Sequence, residues 1–188
     1  MRAALLACLL LFACENAAAQ PNPARPASVA TSAGVVWNVL EESFVSLADA
    51  MPAEKWDFAP TQGEFKGVRT FGQQVKHVAC ANFAFFAELE HKTPPAGCDT
   101  GGPNAATTKP ALMTYLRDSF AYADKALATL NERNMLDAVE GPYFTPNTKL
   151  GIATAAVWHA SDHYGQLVEY LRMNGIVPPA SQPPPPKK

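Results

Sequence analysis

Apolar residues recur along this chain at spacings of three and four, in four stretches of about twenty residues each. That is the period of a helix with one buried face. The first stretch is Val29 to Ala50, with Ala33, Val36/Trp37, Leu40, Phe44 and Leu47 on its stripe, and Met51-Pro52 ends it. The second runs from Phe71 to His91 on Phe71, Val75, Val78, Phe85, Phe86 and Leu89. The third runs from Pro110 to Asn134 on Leu112, Leu116, Phe120, Ala123, Leu127 and Leu130. The fourth runs from Gly151 to Asn174 on Ile152, Ala156, His159, His163, Gln166/Leu167 and Tyr170, and Gly175 stops it. No strand signal of comparable strength competes, so the pattern predicts an all-α four-helix bundle over residues 29–179.

The connections refine that picture. Pro52 to Thr70 is long and carries Trp56, Phe58, Pro60 and Phe65, aromatics expected to cap one end of the bundle. The link from Thr93 to Thr108 is rich in Pro, Gly and Thr. Extended chain covers about 3.3 Å per residue, so this link can run the length of a helix of about 30 Å. The second and third helices are therefore expected to be parallel, joined by a long crossover.

Both ends of the chain read differently from the middle. Arg2, the apolar run from Ala3 to Ala13 and the small residues Ala17-Ala18-Ala19 form a secretory signal over residues 1–19. Leu11-Phe12-Ala13-Cys14 offers an alternative, a lipobox that would anchor the mature chain through Cys14. Either way the protein is expected to be exported, periplasmic or secreted in the first case, with no transmembrane segment once the signal is removed. Residues 20–28 are a Pro-rich flexible spacer, and residues 180–188 a polyproline tail expected to be solvated.

Composition adds limits. The chain has 188 residues, is 48% hydrophobic and has a net charge of −2, which suits one domain with a real core. Near-neutral charge leaves no electrostatic footprint for nucleic acid. With the signal removed, Cys80 and Cys98 remain. Cys80 points away from the apolar stripe of its helix and Cys98 lies mid-crossover, so a crossover passing back along that helix would bring them together. A disulfide is the expectation and two free thiols the alternative.

The chemistry concentrates in the fourth helix. His159 and His163 stand one turn apart near the middle of its apolar stripe, a spacing suited to one metal ion. Two core histidines satisfied by neighbouring helices is the competing reading. His77 lies about 120° from the centre of the second helix's stripe, the place of a half-exposed residue. His91, at the end of that helix, has no partner at helical spacing and is left out of the site.

The segment Phe71 to Ala79 around His77, and the run His159-x-x-x-His163-Tyr164-Gly165-Gln166-Leu167, resemble the DinB/YfiT-like superfamily of metal-binding bundles. So do the ending Tyr170 to Pro179 and the connection Met51-Pro52…Trp56-Asp57-Phe58-Ala59-Pro60. The resemblance covers about Val29 to Pro179. It implies three metal-ligating histidines, which map onto His77, His159 and His163, with Gln166 as a supporting group. Three neutral imidazoles leave a position open for water or substrate. They suit one divalent ion, zinc or nickel first, with iron or copper also compatible. Loading is expected to fade as pH falls through about 6.5, where protons compete for the imidazoles. The superfamily includes thiol-dependent transferases and an isomerase, which implies a metal-dependent hydrolase or transferase acting on a small molecule. The alternative is a non-enzymatic metal-binding or stress-related bundle of the cell envelope. A homodimer is left open.

Overall fold

A computed structural model describes residues 28–144 and 147–183. Four helices carry the fold: α1 (Val29–Ala50), α2 (Phe71–Leu89), α3 (Lys109–Leu127) and α4 (Lys149–Met173). Each begins where local chemistry favours it. The Ser28 hydroxyl accepts from the Thr31 N–H at the start of α1, and Thr148 does the same for Gly151 at α4. Thr70 and Gln73 form a capping box on α2, and Pro110 sits in the first turn of α3.

The packed pairs are α1 with α3, α1 with α4, α2 with α3, and α2 with α4, so α1 and α2 lie diagonally across the bundle. Directions follow from side-chain pairs. Asn82 bonds Ser119, and further along both helices Glu90 accepts from the Tyr122 hydroxyl, so α2 and α3 run parallel. Gln74 meets His163 while Phe85 meets His159, so α2 and α4 run antiparallel. A parallel pair needs a connection spanning its length, and residues 90–108 supply it. The expected bundle and its crossover are both present.

The core is aromatic at its centre. Trp37 is fully buried with its ring 5.1 Å from Phe86 and 5.1 Å from Phe120, joining α1, α2 and α3 at one point. Val36, expected to share this inward position, is 53% exposed. The neighbouring indole takes the inward direction, and adjacent helical residues lie about 100° apart. In the long connection, Trp56 is buried and its indole N–H donates to the Met51 carbonyl at 3.0 Å. Phe58 packs edge-on to Tyr170, so these aromatics do close one end of the bundle.

Three boundaries differ from expectation. α3 ends at Leu127, well short of Asn134. The Asn131 side chain accepts from the N–H groups of Arg133 and Asn134, and the Asn134 side chain accepts from Asn131 N–H. These amides offer the backbone an alternative to helical bonding, although Leu130 still packs into the core. α2 stops at Leu89, and His91 takes a positive φ of 58° as the chain turns away. Past the expected edge at Pro179, residues Pro179–Ser181 form a 3-10 turn against α1, where Arg172 donates to the Ser181 hydroxyl. Between α3 and α4 a two-residue ladder pairs Ala138–Val139 (β1) with Asn147–Thr148 (β2). The export signal expected over residues 1–19, the spacer through residue 27 and residues 184–188 lie outside the described residues.

Cys80 of α2 and Cys98 of the crossover form a disulfide. Cys98 opens a short 3-10 turn, Cys98–Thr100, flanked by Gly97 and Gly101 at φ 72° and 96°. Those left-handed positions let the chain reverse tightly over the outside of α2. A side chain at Gly102 would overlap the Cys80 sulfur, so the crossover lies flush on the bridge. The bridge spans a sequence separation of 18, and its removal by the pair Cys80→Ser and Cys98→Ser should cost about 3 kcal/mol of unfolding free energy. Urea unfolding of the double variant beside the oxidised parent measures this.

Glu88 of α2 is 1% exposed, Gly141 abuts its carboxyl, and among the described residues neither oxygen forms a well-aligned hydrogen bond, although the Tyr143 main chain opposes the rise in its pKa. Burial pushes its pKa up from 4.5 to about 7. A folded pKa above the unfolded one favours folding below pH 4.5, and that contribution is lost as pH rises through 7. Glu88→Gln should therefore raise the melting temperature at pH 8 and change it little at pH 4.5, read by thermal melts at the two values.

Candidate metal centre

The antiparallel packing of α2 on α4 brings together three imidazoles from two helices. His159 and His163 project one turn apart from α4 with ring centroids 4.7 Å apart. His77 enters from α2, its ring 5.1 Å from His159 and 4.9 Å from His163. The three residues each offer one nitrogen, all within 4.8 Å of one another. His77 is buried, in contrast to the half-exposed place its helical angle gave it. The crossover folds over that border of α2 and covers it.

Hydrogen bonds set which nitrogen points inward. His77 Nδ1 is bonded to the Cys98 carbonyl, and His163 Nδ1 lies 2.8 Å from Gln74 Oε1. A carbonyl oxygen only accepts, so both Nδ1 atoms carry the proton and both Nε2 atoms present a lone pair to the centre. His77 Nε2 and His159 Nε2 are 3.1 Å apart. His159 Nδ1 is buried and has no hydrogen-bond partner among the described residues. Two ligand-ready imidazoles with oriented tautomers, facing a third at this separation, fit a divalent ion with nitrogen donors.

The electrostatics favour the neutral form of all three rings. Burial lowers the pKa of His159 from 6.5 to about 3, helped by the charges of His163 and His77. Burial lowers His163 to about 4, with His77 next in effect, and burial also lowers His77. The Arg69 guanidinium pushes all three in the same direction. In the metal-free chain protons therefore compete for these nitrogens below the ordinary histidine range.

Other residues fall outside the cluster or join it unexpectedly. His91 is exposed beyond the end of α2. Gln166 donates to Asp162 at 2.8 Å on the solvent side of α4, so the supporting amide is Gln74 instead. Gln74 stands three residues before His77 on the same helix face, a spacing that could have singled it out. The Cys98 carbonyl carries no such signal, because a main-chain acceptor can come from any residue type. On the other side of His159, Phe85 packs at 5.3 Å and continues through Phe144 to Trp158, which is 60% exposed.

The metal-free protein should lose stability in acid in a defined window. Above pH 6.5 the imidazoles are neutral in both folded and unfolded chains. Below it the unfolded chain binds protons first, so stability falls between about 6.5 and about 3. Urea midpoints at pH 7.5 and 5 should therefore drop less in His159→Gln than in the parent, whereas equal drops would place the acid sensitivity elsewhere.

The chain's relatives agree with this architecture. The sequence profile of the DinB superfamily matches residues 37–167. A crystal structure of a DinB-like protein from Bacillus cereus superposes with a TM-score of 0.65 at 17% identity, covering 81% of this chain and 96% of that one. A conserved protein from Enterococcus faecalis superposes with a TM-score of 0.61 at 17% identity, covering 77% of this chain and 96% of the other. No curated protein matches the chain by sequence. The profile match spans all four helices from Trp37 on α1 to Leu167 on α4 and takes in the three clustered histidines, and the chain belongs to the DinB superfamily.

Proposed function

We propose that the protein is an exported metal-dependent hydrolase or thiol-type transferase for a small molecule, with His77, His159 and His163 as the ligands of one divalent ion. The observation that carries this reading is the convergence of three imidazoles within 4.8 Å, two of them held by acceptors on Nδ1. Zinc or nickel suits the all-nitrogen set best, and iron or copper is also accommodated. When bound, such an ion supplies Lewis acidity at neutral pH.

The chain's own groups do the rest. The Cys98 carbonyl and Gln74 hold two rings in one tautomer, so no rotation or proton shift is needed when the site fills. Burial keeps the rings neutral, and Phe85 keeps water off one side of His159. The disulfide supports the exported reading, because such bonds persist in oxidising compartments. Periplasmic or secreted release after a signal over residues 1–19, or anchoring through Cys14, is the proposed location.

A second reading, a non-enzymatic metal-holding bundle of the envelope, is favoured by the make-up of the cluster. Among the described residues it contains histidines alone, with no carboxylate to act as a general base.

Metal content of the purified mature chain tests the ligand set. Each of His77→Ala, His159→Ala and His163→Ala should lose most of the bound metal, and His91→Ala should keep it. Gln74→Leu should weaken affinity by about 10- to 100-fold without abolishing binding. Full retention in the three histidine variants would make the cluster core packing, and loss in His91→Ala would overturn the assignment.

A further inference from the structure

A cavity of about 450 Å³ opens between α2, α4 and the chain ahead of α2. Its walls are largely apolar, from Phe65, Val68, Tyr170 and Met173. Gln74 belongs to both places: it lines the cavity, and its amide oxygen holds His163. Gln74 therefore stands between the cavity and the Nδ1 side of His163.

Arg69 is the cationic residue of this lining. Its position is tied at two points. The Tyr170 hydroxyl donates to the Arg69 carbonyl at 3.1 Å, and the guanidinium donates to the Asp99 carbonyl in the crossover. It forms no ion pair among the described residues. A guanidinium has five N–H donors in a rigid fork, so one main-chain acceptor leaves most of them free for something else. Its charge reaches all three imidazoles, which places it on the same side of the bundle as the site. Glu169, also on the lining, is exposed and forms no ion pair with Arg69, so the guanidinium is not neutralised from within.

We infer that this cavity is a ligand pocket adjoining the histidine site through Gln74, and that it takes a small organic carboxylate whose carboxyl group pairs with Arg69 while its apolar body lies against Phe65, Val68 and Met173. The planar fork matches a carboxylate through two parallel hydrogen bonds, which a neutral amide cannot reproduce. A single carboxylate also suits the rim, since Glu169 opposes a second negative charge. The apolar walls favour an aryl or alkyl body over a sugar or a polyol.

The test uses the oxidised, metal-loaded mature chain with its metal content measured, and phenylacetate and phenylacetamide as probes of nearly equal shape. Titration calorimetry should show phenylacetate binding at least about ten-fold more tightly than the amide. Arg69→Gln should abolish that preference and leave amide binding unchanged, and Arg69→Lys should restore part of it. Thermal melts of each variant confirm that the fold is intact. Equal affinity for the two probes in the parent, or a preference that survives Arg69→Gln, would overturn the inference. So would displacement of phenylacetate by inorganic phosphate at lower concentration, which would make the pocket a phosphate site. A chain that proves metal-free yet keeps an Arg69-dependent preference upholds the pocket and sinks the metal reading.

Discussion

The bond between Cys80 and Cys98 fastens the crossover to the outside of α2, and the geometry of the histidine cluster depends on it. His77 stands three residues before Cys80 on the same helix, and its Nδ1 is held by the carbonyl of Cys98 itself. One covalent link therefore closes the parallel α2–α3 connection and supplies the acceptor that orients a candidate ligand. A free loop would have to order its backbone to provide the same carbonyl, at about 1–2 kcal/mol of conformational entropy per residue. The disulfide removes part of that freedom before the site is assembled.

Antiparallel packing of α2 on α4 then determines which side chains meet. Gln74 reaches His163, His77 lies between His163 and His159, and Phe85 lies beyond His159, so the contacts step up one helix as they step down the other. Polar groups in that seam are largely shielded from water and need partners there. Two of the imidazoles have acceptors on Nδ1, and the inward nitrogens face each other. The result is a polar pocket enclosed by an apolar bundle. Burial keeps its rings uncharged, and the positive field of Arg69 reinforces that state.

The aromatic core and the site make separate demands on the same helices. Trp37, Phe86 and Phe120 fill the centre between α1, α2 and α3, while the histidines occupy the α2–α4 seam. Because different faces of α2 serve the two, side chains in the seam can be changed without emptying the core. Glu88 shows the limit of this division. It lies buried on α2 without a well-aligned hydrogen bond to its carboxylate oxygens among the described residues, and burial shifts its pKa to about 7.

The sequence by itself determined the four helices, their apolar stripes, the long crossover and the pair His159 and His163. All of these are read from spacing along a single segment, and helical period is a local property. The cysteine pair was legible for a related reason, since one sulfur points outward from a helix and the other lies in the chain that must pass it. What only the tertiary structure decided involves residues far apart in sequence. The burial of His77 comes from a crossover folded over its helix border, which its own helical angle cannot reveal. Gln74 and the Cys98 carbonyl became partners of the histidines through the register of α2 against α4 and the path of the crossover. The stop of α3 at Leu127 reflects Asn131 and Asn134 bonding each other's backbone, a local competition that apolar periodicity does not record. Arg69 met the site only when the chain ahead of α2 was laid against Tyr170 of α4.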